Sequence, residues 1–134
     1  MADQRLHVAD LIAAATDIIS RFTPAEAFTR VVAARALLVD TRDGADRIAE
    51  GIVPGSLHIP RSVLEWRADP TSGYADERLT AGAPIIVMCS DGYSSALAAS
   101  NLVKIGHAGA GDVIGGYRAW KRAGLPVVDA QELS

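Results

Sequence analysis

Two short segments of this chain, Ala36 to Asp40 (ALLVD) and Pro84 to Cys89 (PIIVMC), are apolar at successive positions rather than alternate ones. A strand of that composition is apolar on both faces and has to be covered on both. Stretches of helical periodicity lie between and around these runs, and strands that alternate with helices pair in parallel. The sequence therefore predicts an α/β domain with a central, mainly parallel sheet and helices on both faces.

Leu6, Val8, Leu11, Ile12, Ala15, Ile18, Ile19 and Phe22 recur at helical spacing, with Asp10, Asp17 and Arg21 between them. This predicts one amphipathic helix over 6–22. Thr23-Pro24-Ala25-Glu26 restarts the pattern: threonine suits the N-cap, proline the first turn, and the glutamate three residues on completes a capping box. That helix should run to about Ala34. Gly51 to Pro60 reads as a turn around Pro54-Gly55 and then a short strand through Leu57 and Ile59. Ser62 and Glu65 offer a second capping box ahead of a short helix over 63–67. The stretch 71–83 (TSGYADERLTAGA) reads as polar loop. Tyr93 to Ile105 reads as a helix stopped by Gly106. Ala110 to Gly116 is a short strand leading into a last helix, closed by Gly124 and Pro126.

With 134 residues, 49% hydrophobic and 22% charged, the chain can build one domain-sized core. A net charge of −3 gives no basis for nucleic-acid binding. No apolar run approaches the ~20 residues of a membrane span. Asp3, Asp10 and Asp17, with no basic opening, speak against a signal peptide. One cysteine excludes an internal disulfide and suits a reducing compartment. The expectation is a cytoplasmic protein without membrane or nucleic-acid partners.

The single cysteine stands where an open parallel sheet binds ligands, at the carboxyl end of a strand with a helix starting just beyond it. Helix N-terminal amides favour an anion there, and the same field favours thiolate over thiol. Gly92 lets the loop bend so that its amides converge, and Ser90, Ser94 and Ser95 add hydroxyl donors. Chemically this is a cradle for a sulfur anion. The competing reading is a buried cysteine acting as a small hydrophobe.

Three stretches together resemble the rhodanese-like (thiosulfate sulfurtransferase) family over about Thr23 to Val128. LLVDTRDGADRIAEGIVPGSLHIPR is similar to its strand ending in Asp-x-Arg and the Ile-Pro-Gly segment after it. IIVMCSDGYSSALAA is similar to its strand, active-site loop and helix, and GAGDVIGGYRAWKRAGLPV to its closing Gly-Gly helix and Gly-x-Pro-Val tail. The resemblance implies a rhodanese-like three-layer fold over 23–134, with 1–22 as an N-terminal helical extension. It also implies a catalytic role for Cys89, which would take sulfane sulfur from a small donor such as thiosulfate as a Cys89 persulfide and pass it to cyanide or a thiol. Substrate binding would fall to Ser90, Asp91, Gly92, Tyr93, Ser94, Ser95 and Arg42. No metal and no cofactor is expected, and the protein would work as a monomer or homodimer.

The chain departs from the family loop Cys-x-x-Gly-x-Arg, because Ser94 stands where the arginine would be and Asp91 adds a negative charge. Both changes should weaken binding of an anionic donor. They also leave open a rhodanese-like binding or regulatory module with little or no turnover. Arg42, Arg61 and Arg67 are candidates for the missing cation, each against a default of surface ion pairing. Asp40 is expected to order its loop, His58 to be a hydrogen-bonded structural histidine, and His107 to be exposed. Trp66 and Trp120 read as packing residues, Trp66 also as a possible wall of the crevice.

Overall fold

The computed structural model describes residues 5–130. Its five strands are β1 (Ser20–Phe22), β2 (Leu37–Asp40), β3 (Leu57–His58), β4 (Ile85–Met88) and β5 (Gly111–Val113). They form one sheet in the order β1-β5-β4-β2-β3, and every pairing between them is parallel. Seven helices accompany it: α1 (Val8–Ile18), α2 (Pro24–Val32), α3 (Gly44–Glu50), α4 (Leu64–Ala68), α5 (Glu77–Thr80), α6 (Ser94–Lys104) and α7 (Gly116–Arg122). The mixed α/β architecture expected from the sequence is the one observed.

The apolar runs behave as their composition requires. Along β4, Ile85 and Val87 enter one core with Leu64, Leu79, Ala98 and Leu102, while Ile86 and Met88 enter the other with Ala27, Tyr117 and Trp120. Val39 and Leu38 of β2 divide between the two cores in the same way. Helices α4, α5 and α6 therefore cover one face and α2 and α7 the other, because each buried strand has apolar side chains to hide on both sides.

Several local expectations need correction. The helix expected over 6–22 ends at Ile18, and Ser20–Phe22 becomes an edge strand, with Ser20 N–H donating to Ala110 C=O at 3.2 Å. Pairing with β5 outweighs the helical periodicity there. Ser62 and Glu65 form no capping box: Arg61–Val63 is a 3-10 turn, and Glu65 instead takes Arg61 and Asn101. The stretch 71–83 contains a one-turn helix, α5, capped by Asp76. His107 is half-buried rather than exposed, its Nε2 lying 2.7 Å from Ala68 C=O. The Thr23/Glu26 capping box forms as read, with Thr23 accepting from Glu26 N–H and Glu26 from Thr23 N–H.

The order of the strands fixes where a ligand can bind. From β2 the chain moves outward to β3, and from β4 it moves the opposite way to β5. The connections leaving β2 and β4 thus diverge, opening a crevice at the carboxyl ends of these two neighbours.

Candidate active site

Cys89 is the first residue after β4, at the floor of that crevice. A cavity of about 370 Å³ is lined by the β2 exit (Thr41, Arg42, Asp43, Asp46) and by Cys89, Ser90, Asp91, Tyr93 and Ser94. Of the residues expected from sequence, these five loop positions and Arg42 line the cavity. Gly92 and Ser95 contact the sulfur instead.

The loop wraps the thiol. Gly92 N–H donates to Cys89 Sγ at 3.1 Å, and Ser95 Oγ lies 3.2 Å from it. Gly92 has φ +91, and a Cβ there would sit 2.6 Å from Gly115 N, so only glycine allows this reversal. Tyr93, the N-cap residue of α6, makes no side-chain cap bond, and of the first N–H groups of the helix that of Ser95 acts on the sulfur. Burial alone would raise the Cys89 thiol. Hydrogen bonds from the Ser95 and Ser94 hydroxyls and the Ser95 and Gly92 amides outweigh it and hold the thiol below its ordinary value. Cys89 is only 6% exposed, yet it opens onto the cavity; it is not a filler of the core.

The final helix fastens the loop from below. Tyr117 N–H donates to Cys89 C=O at 2.7 Å and Arg118 N–H to Ser90 C=O at 3.1 Å. This approach requires Gly116, where a Cβ would meet Cys89 C=O at 2.5 Å.

The candidate cations lie elsewhere than the sequence could tell. The Arg42 side chain is 1% exposed; it bonds Asp40 and Gly51 C=O and lies 3.7 Å over the Tyr117 ring. Arg42 thus forms part of the cavity wall while its guanidinium serves the fold, and Asp40 orders this corner. His58 Nε2 lies 2.8 Å from Arg42 C=O, a structural contact. Arg61 pairs with Glu65, and Arg67 donates to Tyr74 C=O; neither lines the cavity. Trp66 borders a separate cavity with Asp69 and Ile105, and Trp120 is fully buried in the core.

Three residues near the loop had no signal in the sequence. Arg118 binds Asp91 at 2.7 Å and Glu50 at 3.0 Å, so the negative charge that Asp91 brings to the loop is countered. Arg21 and Asp112 form a bidentate pair behind the sulfur. Among the described residues, no group of three or more His, Cys, Asp or Glu side chains could hold a metal ion, and no helix is long and apolar enough to cross a membrane.

Comparison with known proteins agrees with this geometry. The rhodanese-like domain family matches residues 23–123. The thiosulfate sulfurtransferase GlpE of Actinobacillus succinogenes is 31% identical over 111 residues, covering 83% of this chain and 92% of that one. A Rhodopseudomonas palustris structure, described as of unknown function and a possible tyrosine phosphatase, superposes with TM-score 0.87 at 29% identity, over 96% of this chain and 98% of that one. The polysulfide-sulfur transferase homodimer of Wolinella succinogenes superposes with TM-score 0.71 at 26% identity, over 88% and 84%. With a family match spanning strands β2 to β5, the cysteine loop and the clamping helix, the chain belongs to the rhodanese-like family and is related by sequence to sulfurtransferases.

Proposed function

We propose that this protein is a sulfurtransferase that carries sulfane sulfur on Cys89. The observation that carries the reading is the convergence on one sulfur atom of the Gly92 amide, the start of α6 and the Ser95 hydroxyl. Donors that favour a thiolate also favour the anionic terminal sulfur of a persulfide. With a donor such as thiosulfate, the Cys89 thiolate attacks the outer sulfur. A new sulfur–sulfur bond forms to Cys89, the donor's own sulfur–sulfur bond breaks, and sulfite leaves with the bonding pair. Cyanide or a thiol then attacks the terminal sulfur and the Cys89 thiolate leaves, which divides one transfer into two displacements. Neither displacement calls on a metal or organic cofactor. Since Cys89 is the only cysteine, the acceptor has to come from outside the chain.

Ser90, Asp91, Tyr93, Ser94 and Arg42 line the space the donor would occupy, and Gly92 and Ser95 hold the sulfur. Asp43 and Asp46 face the same cavity, whereas the Arg42 guanidinium is turned into the protein and Arg118 is taken up by Asp91 and Glu50. This charge balance favours donors less anionic than thiosulfate. The protein is proposed to act in the cytoplasm as a monomer or homodimer. Phosphatase chemistry is disfavoured, because the loop from Cys89 to Ser95 contains no arginine to hold an oxyanion.

The second reading is a binding or regulatory module with weak or no turnover, favoured by Ser94 at the position of the family cation. Thiocyanate formation from cyanide separates the two, with thiosulfate and an alkyl thiosulfonate as donors. Turnover lost in Cys89→Ser supports the enzyme. Folded wild-type protein inert toward both donors supports the module.

A further inference from the structure

Behind Cys89, on the side away from the cavity, runs a closed circuit of polar contacts. Ser95 Oγ stands 3.2 Å from the sulfur and donates to Asp112 Oδ2 at 2.8 Å. Asp112 accepts from Arg21 Nε at 2.9 Å through Oδ1 and from Arg21 Nη2 at 3.1 Å through Oδ2. The same Arg21 Nη2 donates to Gly92 C=O at 3.2 Å, and Gly92 N–H returns to the sulfur at 3.1 Å. The sheet dictates this arrangement: Arg21 of β1 and Asp112 of β5 are register partners, and Asp112 is in turn level with Val87 of β4, two residues before the cysteine. Ser95 and Asp112 are fully buried.

The arrangement sets up a competition. The Ser95 hydroxyl has one proton and two claimants, the Asp112 carboxylate and the Cys89 sulfur. A buried carboxylate this near the sulfur, standing alone, opposes a thiolate by like-charge repulsion. Arg21 removes that opposition by neutralising Asp112 with two parallel hydrogen bonds. It also holds the carbonyl of Gly92, the residue whose own N–H donates to the sulfur.

We propose that Arg21 and Asp112 are positioning residues for Cys89, a matched ion pair that holds Ser95 Oγ and the Gly92 loop residue against the sulfur. The Arg21 guanidinium is held more firmly charged than usual, first by its bonds to Asp112 and in small part by Cys89 itself. The inference rests on Cys89 being the reactive group of the site. It can nevertheless be read without sulfur transfer, so its failure is distinguishable from failure of the proposed function.

The test is the pH profile of Cys89 alkylation by iodoacetamide, an uncharged reagent, in wild type, Arg21→Gln, Asp112→Asn and the double variant. Arg21→Gln leaves Asp112 uncompensated and should raise the midpoint by about one pH unit, a roughly tenfold loss of thiolate below it. Asp112→Asn leaves Arg21 facing the loop with no carboxylate between and should lower the midpoint. The double variant should fall between the two. Arg42, Asp43, Asp46, Asp91 and Arg118, the other charges around the cavity and loop, are the same in every variant. A structural role alone would move both single variants in the same direction or leave both midpoints in place, and either result overturns the proposal. Circular dichroism establishes folding. If Arg21→Gln does not fold, Asp112→Asn decides alone: a lowered midpoint supports the pair, and an unchanged or raised one refutes it.

Discussion

Tyr117 N–H donates to Cys89 C=O at 2.7 Å, so the first turn of α7 clamps the strand end from which the thiol projects. The clamp depends on Gly116, which has φ +64 and brings its backbone against Cys89 and Ser90. In Gly116→Ala the new methyl meets Cys89 C=O and the backbone is forced into a region that L-residues avoid. The expected cost is about 1–3 kcal/mol of stability, seen as a lower denaturant midpoint. Cys89 alkylation at neutral pH should slow as well, since the sulfur moves off its donors.

Arg118 bridges Asp91 and Glu50 at the rim of the cavity. Arg118→Gln frees the Asp91 charge to repel an anionic donor. The value of kcat/KM for thiosulfate should fall by about two- to fivefold, the scale of an exposed ion pair, and added salt should narrow the difference. Asp91→Asn should not show this loss. A fall of the same size in both variants would place the effect in loop structure rather than in charge.

Much of the fold was legible because burial writes itself into composition. The runs at Leu37–Asp40 and Ile85–Met88 could only be strands covered on both faces, and their helices followed. The cysteine cradle was legible for the same local reason: strand, cysteine, glycine and helix are consecutive. What the sequence concealed was set by distant partners. Nothing near Arg21 announces a strand; Ser20–Phe22 is extended because β5 offers it a ladder, and Arg21 then meets Asp112, 91 residues away. Arg118 and Asp91 meet only once α7 docks under the loop. The ion pair of Arg42 with Asp40 was a legible alternative, but its burial was not, because Gly51 and Tyr117 come from other segments.

The pH dependence of reaction at Cys89 should follow its lowered thiol. The rate of sulfur loading is expected to rise with pH and level off through a midpoint below the free-cysteine value of about 8.5. The sign of the stability effect follows. A depressed folded-state value contributes stability above the unfolded value, which is lost as pH falls through the folded one. The stability advantage of wild type over Cys89→Ser should therefore grow with pH up to about 8.5 and then hold. An advantage that is flat across this range would mean an unperturbed thiol.

Ser94 is exposed and lines the cavity, so a longer side chain has room to extend there. Ser94→Arg restores the family cation and should raise kcat/KM for thiosulfate about ten- to a hundredfold, the worth of one charge-assisted contact of roughly 1.5–3 kcal/mol. If the folded variant shows no gain, the natural donor lacks the oxyanion that this arginine would hold.

The most direct test of the central claim is the intact mass of the purified protein after exposure to a sulfur donor, thiosulfate or an alkyl thiosulfonate, before and after cyanide. Wild type should gain one sulfur atom and lose it to cyanide as thiocyanate, and Cys89→Ser should gain none. An unchanged wild-type mass with both donors, or an equal gain in Cys89→Ser, would contradict the assignment of Cys89 as the sulfur carrier.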